Sequence, residues 1–243
     1  MNIIAIVQAR TGSTRLPGKV FLPLCGKPLI WHIIQRVSSS KFISQVVLAT
    51  TLNKNDDQLE SWAQKENINI YRGSEENVLE RFYKTSIKFK ADIIVRITAD
   101  DPFKDPEVID DVIKVFLKNK LDFAFNNYPP SYPEGLDVEV FTFNLLKYAF
   151  ENSNDSFEHE HVTQFFFRNL SKMNYDNISI EGNFSNLRWT IDTKEDYLMT
   201  KEVYDNLYKE GSLFLMKDII SLLATNPEIT KINEDVTRST MYK

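Results

Sequence analysis

Short apolar runs alternate with amphipathic stretches along the first half of the chain, and this alternation constrains the fold more than any other feature. The run "IIAIV" (residues 3–7) has strand length, and "QVVLAT", "INIY", "DIIVRIT" and "LDFAFN" repeat the theme downstream. Helical spacing fills the intervals, from about Pro28 to Val37, Asp56 to Glu66 and Glu76 to Phe89, then through "DPEVIDDVIKVFL". That last segment opens with Asp105 as N-cap, Pro106 at the first helical position and Glu107 behind it, a clear helix start. Parallel strands need crossover helices, and strands apolar on both faces need both faces covered. The expected fold is therefore α/β, a three-layer α/β/α sandwich around a mostly parallel sheet.

The pattern changes after Asn127. "NNYPPSYPEG" is a turn-rich loop, and "LDVEVFTF" alternates like a half-exposed strand, one arm of a hairpin. Helices are expected around Asn144–Glu151 and Glu158–Asn169, strands at "NISIE" and "LRWTI", and a long helix from Lys194 to about Lys209, with a polar, frayed tail beyond Asn233. No internal repeat or low-complexity segment is present, so residues 1–243 are expected to form one domain. It divides into 1–127, an inserted hairpin and helical region at 128–190, and a C-terminal part at 191–243. With 42% hydrophobic and 26% charged residues, the composition is that of an ordinary globular protein. No apolar run nears the ~20 residues that cross a bilayer, and the start of the chain lacks a basic n-region and a full h-region. A cytoplasmic protein without membrane contact is expected. The single cysteine, Cys25, excludes an intramolecular disulfide and a cysteine-rich metal site.

Charge is distributed unevenly. Seven Lys/Arg and no Asp or Glu occur before Asp56, although the whole chain has a net charge of −5. Such a local positive field suits a polyanion, and without aromatic-basic repeats a small phosphorylated ligand is expected rather than nucleic acid. The field centres on "VQARTGSTRLPGK" (residues 7–19). It is not a Walker A loop: counted from Gly12, the second glycine falls on Pro17, Gly18-Lys19 comes one residue late, and Val20 has no metal-binding hydroxyl. The dinucleotide fingerprint is absent too. Yet a loop leaving the first strand lies where open α/β sheets bind ligands. Gly12 and Gly18 admit close backbone approach, and Arg10, Arg15 and Lys19 can neutralise a triphosphate. The alternative is a solvated loop with scattered charges.

Carboxylates stand at two strand ends. Asp100 and Asp101 follow "VRIT", and neighbouring side chains on extended backbone point to opposite sides, so one of them enters the site. Asp192 ends "LRWTI", while Thr193 and Asp196 fit a capping box. Two carboxylates beside a polycationic loop suit metal-assisted phosphoryl chemistry. Asp137 and Glu139 share one face of a strand, either holding sugar hydroxyls or forming the wet side of a hairpin. His161 could orient or deprotonate a hydroxyl, or be structural; paired with His159 it cannot face one metal from a helix. Arg188 is an anion clamp or the partner of a nearby acid. "RGSEEN" is a base-contacting segment or a turn with a helix cap.

"IVQARTGSTRLPGKVFLPLCGKPLI" resembles the signature of CTP-dependent sugar-acid cytidylyltransferases, the group of CMP-sialate synthetases and 3-deoxy-manno-octulosonate cytidylyltransferases. It is most similar to the spore-coat polysaccharide biosynthesis protein F branch. "RGSEENVLERFY", "VRITADDP", "YPEGLDVEVF", "EHVT" and "LRWTIDTKEDY" carry the likeness over roughly residues 3–210. The resemblance implies a Rossmann-like, nucleotide-diphospho-sugar transferase-like fold. It also implies transfer of CMP from CTP to a ulosonic-acid-like sugar or similar small acid, with pyrophosphate released, for surface polysaccharide synthesis. It assigns Gln8, Ala9, Arg10, Gly12, Ser13, Arg15, Lys19, Arg72, Ser74 and Thr98 to the nucleotide. Asp137, Glu139, His161 and Arg188 fall to the acceptor, and Asp100 and Asp192 to Mg²⁺. Arg10, Arg15, Lys19 and His161 take the catalytic roles, and the likeness implies a homodimer through the inserted region. Close relatives often carry cysteine at Asp101 and proline at Gln164. Two other readings stay open: a glycosyltransferase using a nucleotide-sugar, whose usual D-x-D is absent, and a non-catalytic nucleotide-binding module.

Overall fold

The computed structural model describes residues 1–237. Its strands are β1 (Ile3–Gln8), β2 (Pro23–Leu24), β3 (Lys27–Pro28), β4 (Gln45–Thr51), β5 (Asn69–Gly73), β6 (Ile93–Thr98), β7 (Phe123–Phe125), β8 (Glu139–Thr142) and β9 (Tyr175–Asn177). The helices are α1 (Leu29–Ser38), α2 (Asp57–Lys65), α3 (Val78–Lys88), α4 (Pro106–Asn119), α5 (Phe143–Asn152), α6 (Ser156–Glu160), α7 (Gln164–Arg168), α8 (Lys194–Leu207), α9 (Met216–Thr225) and α10 (Glu228–Lys231). Seven strands form one sheet in the order β5-β4-β1-β6-β8-β7-β9, and β2 and β3 make a separate ribbon. Neighbours are parallel except at β8, which runs antiparallel to both β6 and β7.

Alternation along the strands builds a core on each face. Ile3, Ala5 and Val7 of β1 point into a cluster completed by α1, α2, α4, α8, α9 and α10. Ile4 and Ile6 point the other way, against α3, α5 and α7. Five of the helices, α3, α4, α5, α6 and α8, start where a side chain satisfies a free N–H group. The Asn77 side chain accepts from Glu80 N at 2.8 Å and that of Asp105 from Glu107 N at 2.8 Å. Thr193 and Asp196 form the expected capping box.

Three expectations in the second half change. The segment at residues 136–143 does pair antiparallel with β7, but as an internal strand buried on both faces, not as a half-exposed arm: Glu139, Val140 and Phe141 are all buried. The single helix over Glu158–Asn169 is broken at His161–Thr163, where Val162 has φ 26°. Of "NISIE" only Asn177 lies in a strand, and "LRWTI" contributes an isolated bridge between Glu134 and Arg188. Asn233 is buried, and residues 238–243 of the expected frayed tail lie outside the described residues.

Gly135 explains how the connection before β8 docks. It adopts φ +102°, and a Cβ there would lie 2.8 Å from the Trp189 carbonyl carbon. Flanking backbone bonds, Glu134 N to Leu187 O at 3.0 Å and Trp189 N to Glu134 O at 2.8 Å, hold the two segments together. Gly135→Ala is expected to cost about 1–3 kcal/mol from the strained conformation and the clash. The change will show as a lower urea midpoint with unchanged slope.

Candidate active site

The loop after β1 is tied down at its base by the first acid in the chain. Asp56 is buried, and its Oδ1 accepts from Thr11 N at 2.8 Å and Thr11 Oγ1 at 2.7 Å, while Oδ2 accepts from Thr51 Oγ1 at 2.5 Å. Burial works against its charge, but these donors outweigh it and hold the carboxyl below its ordinary value. Gly18 closes the loop with φ +69° and donates its N–H to Thr11 O at 3.1 Å. A Cβ on Gly12 would meet nothing within 4 Å, so internal packing does not demand glycine there.

From this base the cations reach carboxylates supplied by distant parts of the chain, the turn after β6 and the segment before α8. Lys19 Nζ donates to Asp100 Oδ2 at 2.9 Å, to Asp192 Oδ1 at 3.0 Å and to Ile191 O at 2.8 Å. Burial would lower its pKa, but the two carboxylates outweigh that and raise it. Lys19 in turn holds the Asp100 carboxyl below its usual range against desolvation. Arg15 pairs with Asp192 Oδ1 at 3.0 Å and Arg10 with Glu75 at 3.2 Å, both from exposed positions. Asp192 is bracketed from behind. Arg188 reaches its Oδ2 at 3.1 Å and is itself gripped by Asp196 at 2.9 and 3.0 Å and by Glu134 at 3.0 Å. Asn233 donates to Asp196 at 2.9 Å and to Arg188 O at 3.1 Å.

Two cavities flank this knot. One of about 400 Å³ is lined by Asp100, Asp192, Asp137, Glu139 and Thr98 among others. The second, of about 590 Å³, lies between Ala9, the Glu75–Glu76 turn, Arg81 of α3 and Ser156 and Glu160 of α6. Gln8, Arg10 and His161 line both. Asp100 and Asp192 converge on one ammonium, and two hard carboxylate oxygens of this kind fit Mg²⁺ or Mn²⁺ when substrate oxygens supply the remaining ligands. Among the described residues no three His, Cys, Asp or Glu side chains cluster as a self-contained cage.

Comparison with known proteins decides the family. Residues 4–229 match the family described as Cytidylyltransferase. The chain belongs to the cytidylyltransferase family. It is 36% identical over 231 residues to the spore coat polysaccharide biosynthesis protein SpsF of Bacillus subtilis, a match spanning 93% of this chain and 96% of that one. A solved cytidylyltransferase from Leptospira borgpetersenii superposes with a TM-score of 0.91 at 32% identity, over 98% of this chain and 99% of that chain. The 3-deoxy-manno-octulosonate cytidylyltransferase of Geobacter sulfurreducens is 30% identical over 119 residues, and the chain spans about half the length of this and several other curated relatives. These likenesses agree with the Rossmann-like three-layer fold described above.

Within this cytidylyltransferase the expected residues do not all converge. Gln8, Arg10, Arg15, Thr98, Asp100, Asp137, Glu139, His161 and Asp192 line the first cavity, and Ala9 lines the second. Lys19 joins through its carboxylates, while Gly12 and Ser13 stay on the outer loop, where Ser13 Oγ accepts from Leu16 N at 3.3 Å. Arg72 and Ser74 line neither cavity. The Arg72 guanidinium is consumed by Glu60 and Asp57, each at 2.7 Å, and by Thr51 O and Asn53 O. Ser74 Oγ accepts from Asn77 N at 2.9 Å, so the neighbouring Glu75 and Glu76 face the second cavity instead. Arg188 is a bracket for Asp192 and does not line either cavity. Glu139 reaches the wall already bound to Arg96 at 2.7 Å, Asn127 at 3.1 Å and Thr163 at 3.1 Å. Gln164 starts α7, and its N–H donates to His161 O at 3.0 Å, a bond that proline could not make.

Sequence reasoning missed Arg96, Arg81, Asp56 and Lys104. Buried Arg81 has its pKa lowered to about 10, chiefly by desolvation and then by Arg10. Lys104 forms a buried pair with Asp101 at 2.8 Å, which gives that aspartate a structural duty. The only advance signal for these four was a charged residue inside an otherwise apolar or helical pattern. Because the Asp56 carboxyl is held down in the fold, it stabilises above its ordinary value of 3.8 and ceases to do so as pH falls through its lowered folded value. Asp56→Asn is therefore expected to lose about 1–3 kcal/mol at pH 7. The gap to wild type should close below pH 3.8, as read by urea unfolding across pH.

Proposed function

We propose that this cytidylyltransferase transfers CMP from CTP to a hydroxyl of an acidic, ulosonic-acid-like sugar and releases pyrophosphate, supplying an activated sugar for surface polysaccharide. The observation that carries this reading is the meeting of the Arg10–Arg15–Lys19 loop with Asp100 and Asp192 at the rim of two adjoining cavities. The printed names of the relatives, a spore-coat polysaccharide protein and a 3-deoxy-manno-octulosonate cytidylyltransferase, support the acceptor class.

On this reading the base enters the cavity between Ala9, Glu75 and Arg81, and the phosphates cross above Arg10 toward Arg15 and Lys19. The acceptor takes the other cavity, among Asp137, Arg96 and His161. Residues 1–127 make the nucleotide side, 128–190 most of the acceptor wall, and the chain from Ile191 onward the second metal carboxylate with the helices behind it. Asp100 and Asp192 would hold Mg²⁺, which supplies charge neutralisation at the phosphates. Arg15 and Lys19 steady the negative charge that grows on the leaving pyrophosphate, and Arg188 keeps Asp192 aligned. The acceptor oxygen and the α-phosphorus react because both are held in line, which replaces an encounter in solution by a prepared approach. A homodimer in the cytoplasm, where CTP is made, completes the reading by likeness to the family.

The test is a matrix of nucleoside triphosphates against candidate sugar acids, read as pyrophosphate with Mg²⁺ present and then chelated. CTP with a ulosonic acid is expected to give metal-dependent release. Lys19→Ala and Arg15→Ala should each turn over at least about tenfold more slowly with the fold intact. Near-normal pyrophosphate release by both variants would remove the loop from the reaction.

A further inference from the structure

One carboxyl in the acceptor cavity is positioned by the fold and left without a structural task. Asp137 lies just before β8, and buried Asn126 fixes the backbone on either side of it. The Asn126 amide donates to Leu136 O at 3.0 Å, and its oxygen accepts from Val138 N at 2.7 Å. Lys104 Nζ donates to the Asp137 carbonyl oxygen. Two residues upstream, Gly135 presses against the Trp189 backbone, on the segment that runs on to Asp192. The main chain at Asp137 is thus held on both sides and tied to the segment that carries a proposed metal ligand.

Every other carboxylate in that cavity is already engaged. Asp100 binds Lys19, Asp101 binds Lys104 and Thr98, Glu134 binds Arg188, Glu139 binds Arg96, and Asp192 binds Lys19, Arg15 and Arg188. The Asp137 side chain alone has no hydrogen-bonded or ion-paired partner among the described residues, and it lines the cavity.

We propose that Asp137 is the general base of the transfer, a role that rests on the cytidyl-transfer reading above. As the acceptor hydroxyl oxygen attacks the α-phosphorus, its proton passes to an Asp137 carboxylate oxygen. The bond from the α-phosphorus to the bridging oxygen breaks, and that oxygen leaves with the pyrophosphate. Asp137 then returns its proton to water. Desolvation pushes its carboxyl up to about 7; Lys104 opposes the rise, and Asp101, Glu139 and Glu134 add to it. A base of that strength suits proton removal near neutrality. His161, the histidine on the same wall, is driven the opposite way by burial and by Arg96, with Glu160 opposing, and becomes the weaker base.

The experiment follows pyrophosphate release from pH 5 to 9 with CTP, Mg²⁺ and the best acceptor of the matrix. Wild-type kcat/KM should climb about tenfold per pH unit up to about 7 and then level off. Asp137→Asn should lose about 100-fold or more in kcat together with that limb, whereas His161→Gln should keep it. Asp101→Asn should move the limb to lower pH by removing one of the charges that raise Asp137. The base role is overturned if Asp137→Asn keeps the limb or falls by less than about threefold, or if His161→Gln abolishes the limb. Should Asp137→Asn not fold by circular dichroism, the Asp101→Asn profile decides, and an unmoved limb overturns the role. A wild type inert with every acceptor overturns cytidyl transfer itself, whereas an active wild type with an unchanged Asp137→Asn overturns the base alone.

Discussion

Lys19 brings together three parts of the chain that share no local sequence. Its ammonium lies 2.9 Å from Asp100 and 3.0 Å from Asp192, so the loop after β1, the end of β6 and the segment before α8 meet at one charge. Taking such a cluster out of water costs several kcal/mol per ion, and only close geometry with extra hydrogen bonds recovers it. Both conditions are met here, since Ile191 O accepts from the same ammonium and Arg188 secures the far oxygen of Asp192. The cluster serves as a fixed arrangement of charge first and as a source of stability second.

Stability comes from the layers beneath. Two apolar cores, one on each face of the sheet, carry the burial that offsets the polar rim. The rim is anchored into them by buried hydrogen bonds and ion pairs. Asp56 latches the loop after β1, the Asp101–Lys104 pair fixes the turn after β6, and Asp196 with Asn233 backs Arg188. Preorganisation of this kind lets long cationic side chains act without first being ordered.

Much of the fold was legible because strand-length apolar runs alternate with period-3.6 stretches from Ile3 to Asn119, although the two-residue β2 and β3 gave no signal. The position of Asp100 just past β6 followed from the same patterns, whereas Asp192, expected at the end of a strand, lies in the irregular segment before α8. What could not be read was pairing at long range. The first 55 residues contain no acid, yet their cations are matched by Glu75, Asp100 and Asp192, which only the tertiary fold delivers. Arg72 looked available for the base because Asp57 and Glu60 belong to α2, the preceding helix, and meet this β5 residue only in space. In the second half the strands shorten to three or four residues, too few for a period to declare itself, and β8 misled because its polar Glu139 is buried against Arg96.

The reversed direction of β8 has an architectural consequence. Strands β1 and β6 deliver their last residues to the rim, whereas β8, running the other way, delivers its first. The connection over residues 126–138 therefore opens straight onto the cavity proposed for the acceptor, while the pairing of β8 with β6 and β7 is set further down by Glu139–Thr142. Lengthening or reshaping that connection alters the wall of this cavity without shifting the register of the sheet. On the proposed reading, one architecture can in this way be retailored to a different acceptor by editing a single loop.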